Sequence, residues 1–139
     1  MTEADRIIKQ LSLAPHPEGG HYRQTWAAEG PGRPSGTCIY FLLKAGETSH
    51  WHRVDAAEIW HFHTGAPLVL SVSPTDSGPR RDLRLGPGLA SGEEPQRIVP
   101  PGHWQMARST GAFTLAGCTV SPGFLFEHFE LAPPGFDIP

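Results

Sequence analysis

The stretch Gly46–Gly65, GETSHWHRVDAAEIWHFHTG, decides how the rest of the chain is read. It holds His50, His52, Glu58, His61 and His63, and so contains half of the eight histidines in the sequence. The stretch is rich in strand formers, and side chains alternate across a strand, so His50 and His52 share one face. On the next strand Glu58, Trp60 and Phe62 share one face, while Ile59, His61 and His63 share the other. If the Trp60 face looks inward, Glu58 joins His52 in the interior. If the opposite face does, His61 and His63 join it instead, unless a β-bulge redirects one of them. Periodicity leaves both groupings open, and each brings imidazole into the neighbourhood expected of a reactive centre.

Outward from this stretch the chain is broken into short apolar runs by most of its 16 Gly and 15 Pro. Runs at residues 37–43, 58–62, 67–72, 82–85, 97–99, 104–107, 113–120 and 126–131 read as roughly eight strands. Even spacing without intervening helical patterns predicts an all-β antiparallel sandwich or closed barrel. One short helix precedes it. Thr2 with Asp5 forms a capping pair, and Ile7, Ile8 and Leu11 make an apolar stripe that ends before Pro15. Residues 29–36 and 75–80 combine Gly, Pro and Ser with little apolar content and are expected to be loops.

At 139 residues and 15.1 kDa the chain fits one domain, 1–139, with a helical lead over 1–14 and the β-barrel over 15–139. Eleven basic against fourteen acidic residues, with the basic ones scattered, argue against a nucleic-acid partner. The N-terminus lacks the pattern of a signal peptide, and no apolar stretch approaches membrane-spanning length. Only two cysteines, Cys38 and Cys118, are present, each in an apolar run. The expectation is a soluble cytoplasmic protein in a reducing compartment, with no membrane partner and buried thiols.

The spacing from Gly46 through His52, Val54 and Glu58 to Gly65 resembles the first cupin motif, in which a second His stands where this chain has Val54. Pro100, Gly102 and Gln105 resemble the second motif, with Gln105 in its His place. HPEGGHYRQTW (16–26), TCIYFLL (37–43), WHRVDAAEIWHFHTGAPL (51–68), IVPPGHWQ (98–105) and GCTVSPGFLFEHFEL (117–131) together resemble the cupin-5 family, DUF985, across nearly the whole chain. The resemblance implies a double-stranded β-helix, the cupin jelly-roll barrel, with an internal pocket for a small-molecule ligand and pairing as a homodimer. It implies little about reaction, because similar cupins include epimerases, isomerases, dioxygenases, decarboxylases and plain binding proteins.

Three functional readings follow. In the first, His52 and Glu58 carry acid–base chemistry of isomerase or epimerase type on a polar metabolite, with His61 as a further base and no cofactor. Tyr22 or Tyr40 would supply the opposing acid, and Arg23 or Arg53 a clamp for a substrate anion. In the second, one divalent transition metal (Mn, Fe, Ni or Zn) is held by His50, His52, Glu58 and Gln105 in an oxygenase or lyase. In the third, a non-catalytic module binds a metabolite through His52 and Gln105. Glu18 and Arg23 enter as pocket residues by resemblance alone, and a plain turn joining helix to strand is the competing account of HPEGGHYR. Trp51, Trp60 and Trp104 are expected to converge on the interior or a dimer contact, with at least one of them serving the core, and Trp60 is taken as a pocket wall. The reading adopted is the first.

Overall fold

The computed structural model describes residues 1–139 as one short helix and eleven strands in two facing antiparallel sheets. Helix α1, Glu3–Gln10, starts where the sequence places its cap: the Thr2 side chain accepts from the Asp5 amide and Asp5 answers to the Thr2 backbone, a reciprocal pair that satisfies two orphan donors. Its Ile7, Ile8 and Leu11 pack on Leu42, Phe113 and Leu115, on the outside of the larger sheet. No helix is long and apolar enough to cross a membrane.

The strands are β1 Ala14–Pro15, β2 His21–Ala27, β3 Thr37–Lys44, β4 Thr48–Val54, β5 Ala57–Gly65, β6 Leu68–Ser73, β7 Arg81–Leu85, β8 Gln96–Val99, β9 Trp104–Ser109, β10 Phe113–Ser121 and β11 Phe129–Leu131. The larger sheet runs β1-β2-β3-β10-β5-β8 and the smaller β11-β4-β9-β6-β7. Consecutive strands β4 and β5 thus lie in different sheets, so the histidine-rich stretch crosses from one layer to the other. The expected run at 126–131 divides into a 3-10 turn, Phe126–His128, and β11, because only its last residues find a partner in β4.

Interior positions change character along the strands. Toward one end Phe41, Leu43, Trp60, Leu70, Val72 and Leu85 form a packed core. Toward the other, on the same strands, Thr37, Ile39, Glu58, Cys118 and Val120 line a cavity of about 330 Å³. That volume is at the small end of the range for ligand sites. A second apolar cluster, Trp51, Trp104, Ala132 and Ile138, lies apart from the main core. The expected convergence of three tryptophans is therefore corrected: Trp60 belongs to the core, Trp51 and Trp104 to the separate cluster, and none lines the cavity.

Candidate functional site

Two departures from regular backbone build the cavity. The first is a bulge in β4, where Ser49 opposes Ala107 and His52 opposes Gln105, so three steps on β4 match two on β9. The extra residue lets Ser49 and His52 both turn inward, and it breaks the alternation that would have placed His50 beside His52. His50 Nε2 instead meets the Pro133 carbonyl oxygen at 3.0 Å, outside the cavity. The second departure is the turn 16–20. Its ends are tied by the His16 amide donating to the Gly20 carbonyl at 2.9 Å, and the His50 amide donates to the Glu18 carbonyl at 2.7 Å. Gly19 and Gly20 have φ of +109° and +75°, and a Cβ on Gly19 would collide with the Thr48 carbonyl oxygen. Glycine is thus required twice over, by dihedral and by contact. The close fit drives Glu18 into the interior.

On β5 the Trp60 face looks inward, which brings Glu58 into the cavity with His52 and sends His61 and His63 out. Glu58 is fixed by a relay of two hydrogen bonds. Trp60 Nε1 donates to Gln105 Oε1 at 2.8 Å, and Gln105 Nε2 donates to Glu58 Oε1 at 2.8 Å. An indole N–H can only donate, so it settles which end of the Gln105 amide faces Glu58.

His52 is fixed as firmly. Its Nδ1 lies 2.8 Å from the His50 carbonyl oxygen, an acceptor only, so Nδ1 carries the proton and Nε2 is left as the basic atom. Glu18 lies on its Nδ1 side, with Oε2 3.4 Å from His52 Nδ1 and accepting from the Ser49 hydroxyl, and Oε1 3.3 Å from His16 Nδ1. His16 Nδ1 accepts from the Glu18 amide at 3.1 Å, so its proton is on Nε2.

Burial governs the charge of all four groups. It pushes Glu18 up to about 8 against the opposing hydrogen bond from Ser49, and raises Glu58 despite nearby His52. It lowers His16 to about 4, helped by the proximity of His52, and lowers His52 although Glu58 opposes it. At neutral pH both imidazoles are uncharged and Glu18 is a protonated acid.

Of the residues proposed from sequence, His52, Glu58, Glu18 and Tyr22 line the cavity, and Gln105 stands directly behind Glu58. Trp60 acts through Gln105 and does not reach the cavity wall. His61, expected as a second base, is on the outer face, where Nε2 meets Thr119 Oγ1 at 3.2 Å. Arg23 and Tyr40 are there too: Arg23 donates to the Leu11 carbonyl and lies 5.7 Å from the Tyr40 ring centre. Arg53 pairs with Glu130 at 2.8 Å and covers the Trp104 ring. Alternation explains each of these, because Tyr22, Gln24 and Glu58 share inward positions with neighbours one residue out of step. His16, Gln24 and the aromatic rim Phe124 and Phe126 were not singled out from sequence. The turn HPEGGHYR contained the signal for His16, since a rigid turn ending in two glycines brings its first residue back against its last.

A cupin metal centre does not fit these residues. Val54 cannot ligate, His50 is outside, and the Gln105 oxygen already accepts from Trp60 while its N–H donor faces Glu58. No three His, Cys, Asp or Glu side chains are grouped so as to hold a metal ion. The expected set His50, His52, Glu58 and Gln105 is thereby corrected.

Two facing antiparallel sheets with a pocket between them at one end fit the cupin superfamily, and comparison with known proteins shows membership. The chain belongs to the cupin-5 family, the cupin superfamily group DUF985, whose model matches residues 5–132. It is similar to a solved protein of Shewanella oneidensis at 43% identity and TM-score 0.88, over 95% of this chain and 85% of that one. A hypothetical protein from Leishmania major is similar at 30% identity and TM-score 0.89, over 97% and 90% of the two chains. A variant of oxalate decarboxylase from Bacillus subtilis shares the fold alone, at 14% identity and TM-score 0.66, over 85% of this chain and 29% of that one. No curated protein matches the chain.

Proposed function

We propose that this protein is a small-molecule isomerase or epimerase that moves a proton with its own side chains. The observation that carries the reading is the fixed tautomer of His52: its Nδ1–H is held by the His50 carbonyl, leaving an uncharged Nε2 base in a lined cavity. A base of this kind removes a proton from a substrate carbon next to a carbonyl. Glu18, protonated at neutral pH, is the group of matching opposite function and donates to the carbonyl oxygen, giving a neutral enol. Return of the two protons, one to carbon and one to Glu18, completes an isomerisation or inverts a centre with no net redox change. Glu58, aligned by Gln105, holds the substrate.

The test is exchange of substrate hydrogen with deuterated water across a panel of small carbonyl metabolites. His52→Ala is expected to lower exchange at least ~100-fold, the scale of general-base loss, while leaving the circular dichroism spectrum and melting transition in place. Equal exchange in the variant would remove His52 from the mechanism. Two further expectations belong to the same reading. Cys38 and Cys118 are free thiols, which fits a reducing cytoplasm. A homodimer fits the exposed Trp26 and Ile98 side chains, and sedimentation analysis reads it directly.

A further inference from the structure

The acidic side chains of the cavity have no basic counterpart in its lining, although Glu18 is protonated at neutral pH and burial raises Glu58. Among its fourteen lining residues are three glutamates, Glu18, Glu58 and Glu127, and neither Lys nor Arg. The nearby cations are engaged elsewhere. Arg33, beside the rim, donates to the Gly123 carbonyl at 2.7 Å and to both oxygens of Asp55 at 2.7 and 3.1 Å. Arg23 and Arg53 are held on other surfaces by Leu11 and Glu130. Aromatic rings share the lining with the carboxyl groups: Tyr22, packed on His16 with ring centres 4.4 Å apart, and Phe124 and Phe126, edge to face at 4.9 Å. Phe126 is half exposed at the mouth.

We propose that the cavity takes a small organic cation, an ammonium or amidinium group on a compact apolar body, and excludes carboxylates and phosphates of the same size. An anion entering here would leave water without meeting any positive side chain, and would face Glu58 and Glu127. A cation meets the reverse, carboxyl oxygens and aromatic rings within one lining. Burial raises Glu58, and a cation beside it would offset that effect and draw out the carboxylate form, with Gln105 holding its oxygen in place. Glu127 at the rim adds attraction during entry. This assignment rests on the reading of the cavity as the reactive centre, and replaces the arginine clamp that the sequence suggested.

The experiment uses three probes of one shape, benzylammonium, benzyl alcohol and benzoate, titrated by calorimetry into the full chain near neutral pH. Benzylammonium is expected to bind at least ~10-fold more tightly than the alcohol, and benzoate to show no saturable binding. Glu58→Gln keeps the shape and removes the charge, and is expected to erase the advantage of the amine. Phe126→Ala, at a half-exposed position that tolerates truncation, is expected to weaken the amine alone. Saturable benzoate binding, equal affinity for amine and alcohol, or no saturation with the amine would each overturn the proposal. Because binding is read without turnover, the two readings fail separately. An amine preference with no proton exchange on any substrate sinks the isomerase reading only, and exchange on an anionic substrate sinks the cation reading only.

Discussion

His52 and Glu18 show how two neighbouring side chains of ordinary type acquire opposite tasks. Both are buried, and burial disfavours whichever form is charged, so the imidazole stays neutral and the carboxyl keeps its proton. The sign of the resulting pH dependence follows. Proton exchange is expected to rise as pH climbs through the lowered value of His52, hold a plateau near neutrality, and fall as Glu18 ionises above about 8. A rate profile against pH checks it, and Glu18→Gln is expected to abolish the alkaline limb together with most of the rate. Stability carries the same signature. Glu18 has a folded value raised above its ordinary 4.5, so its contribution is fully present below that value and is lost as pH rises to about 8. Urea unfolding of Glu18→Gln is expected to show a flatter stability curve in that window, where one proton sets a slope of at most about 1.4 kcal/mol per pH unit. Trp60 works at the same scale from one residue further back. Trp60→Phe leaves the buried Gln105 oxygen without its donor and is expected to cost about 1–3 kcal/mol, and to weaken ligand binding by freeing Glu58.

Among the elements, those with a strong alternating apolar signal were legible from sequence and those shaped by local irregularity were not. The β3, β6 and β10 runs, TCIYFLL, LVLSVS and FTLAGCTVS, read as strands because burial on one or both faces leaves an apolar pattern. The β2 strand, HYRQTWA, did not, since its inward side faces a partly polar cavity and its outward side is exposed. The His52–Glu58 pairing was one of two open choices, decided by the face that Trp60 presents to the core. The β4 bulge was invisible because one extra residue changes no composition, yet it separates His50 from His52. His16 by itself is a lone histidine before a proline, and its cue lay in the whole turn HPEGGHYR, whose closure sets it against Glu18. Gly19→Ala, placed at a φ of +109° against the Thr48 carbonyl, is expected to destabilise the protein by about 1–3 kcal/mol and to lose activity more sharply, because it withdraws Glu18 from the cavity. Thermal melting and the exchange assay separate the two losses.

For the molecule as a whole, packing and chemistry occupy opposite ends of one interior. Phe41 and Leu43 belong to the core, whereas Thr37 and Ile39, earlier on the same strand, face the cavity. On β10, Ala116 belongs to the core, Cys118 touches both core and cavity, and Val120 lines the cavity. Most stabilisation comes from the filled end, where close-packed apolar side chains leave no room to exchange. Altering the ligand requires no rearrangement there. A library confined to Gln24 and Val120 would sculpt the guest's surroundings while the scaffold beneath stays as nature left it, so this architecture is a ready starting point for engineered recognition.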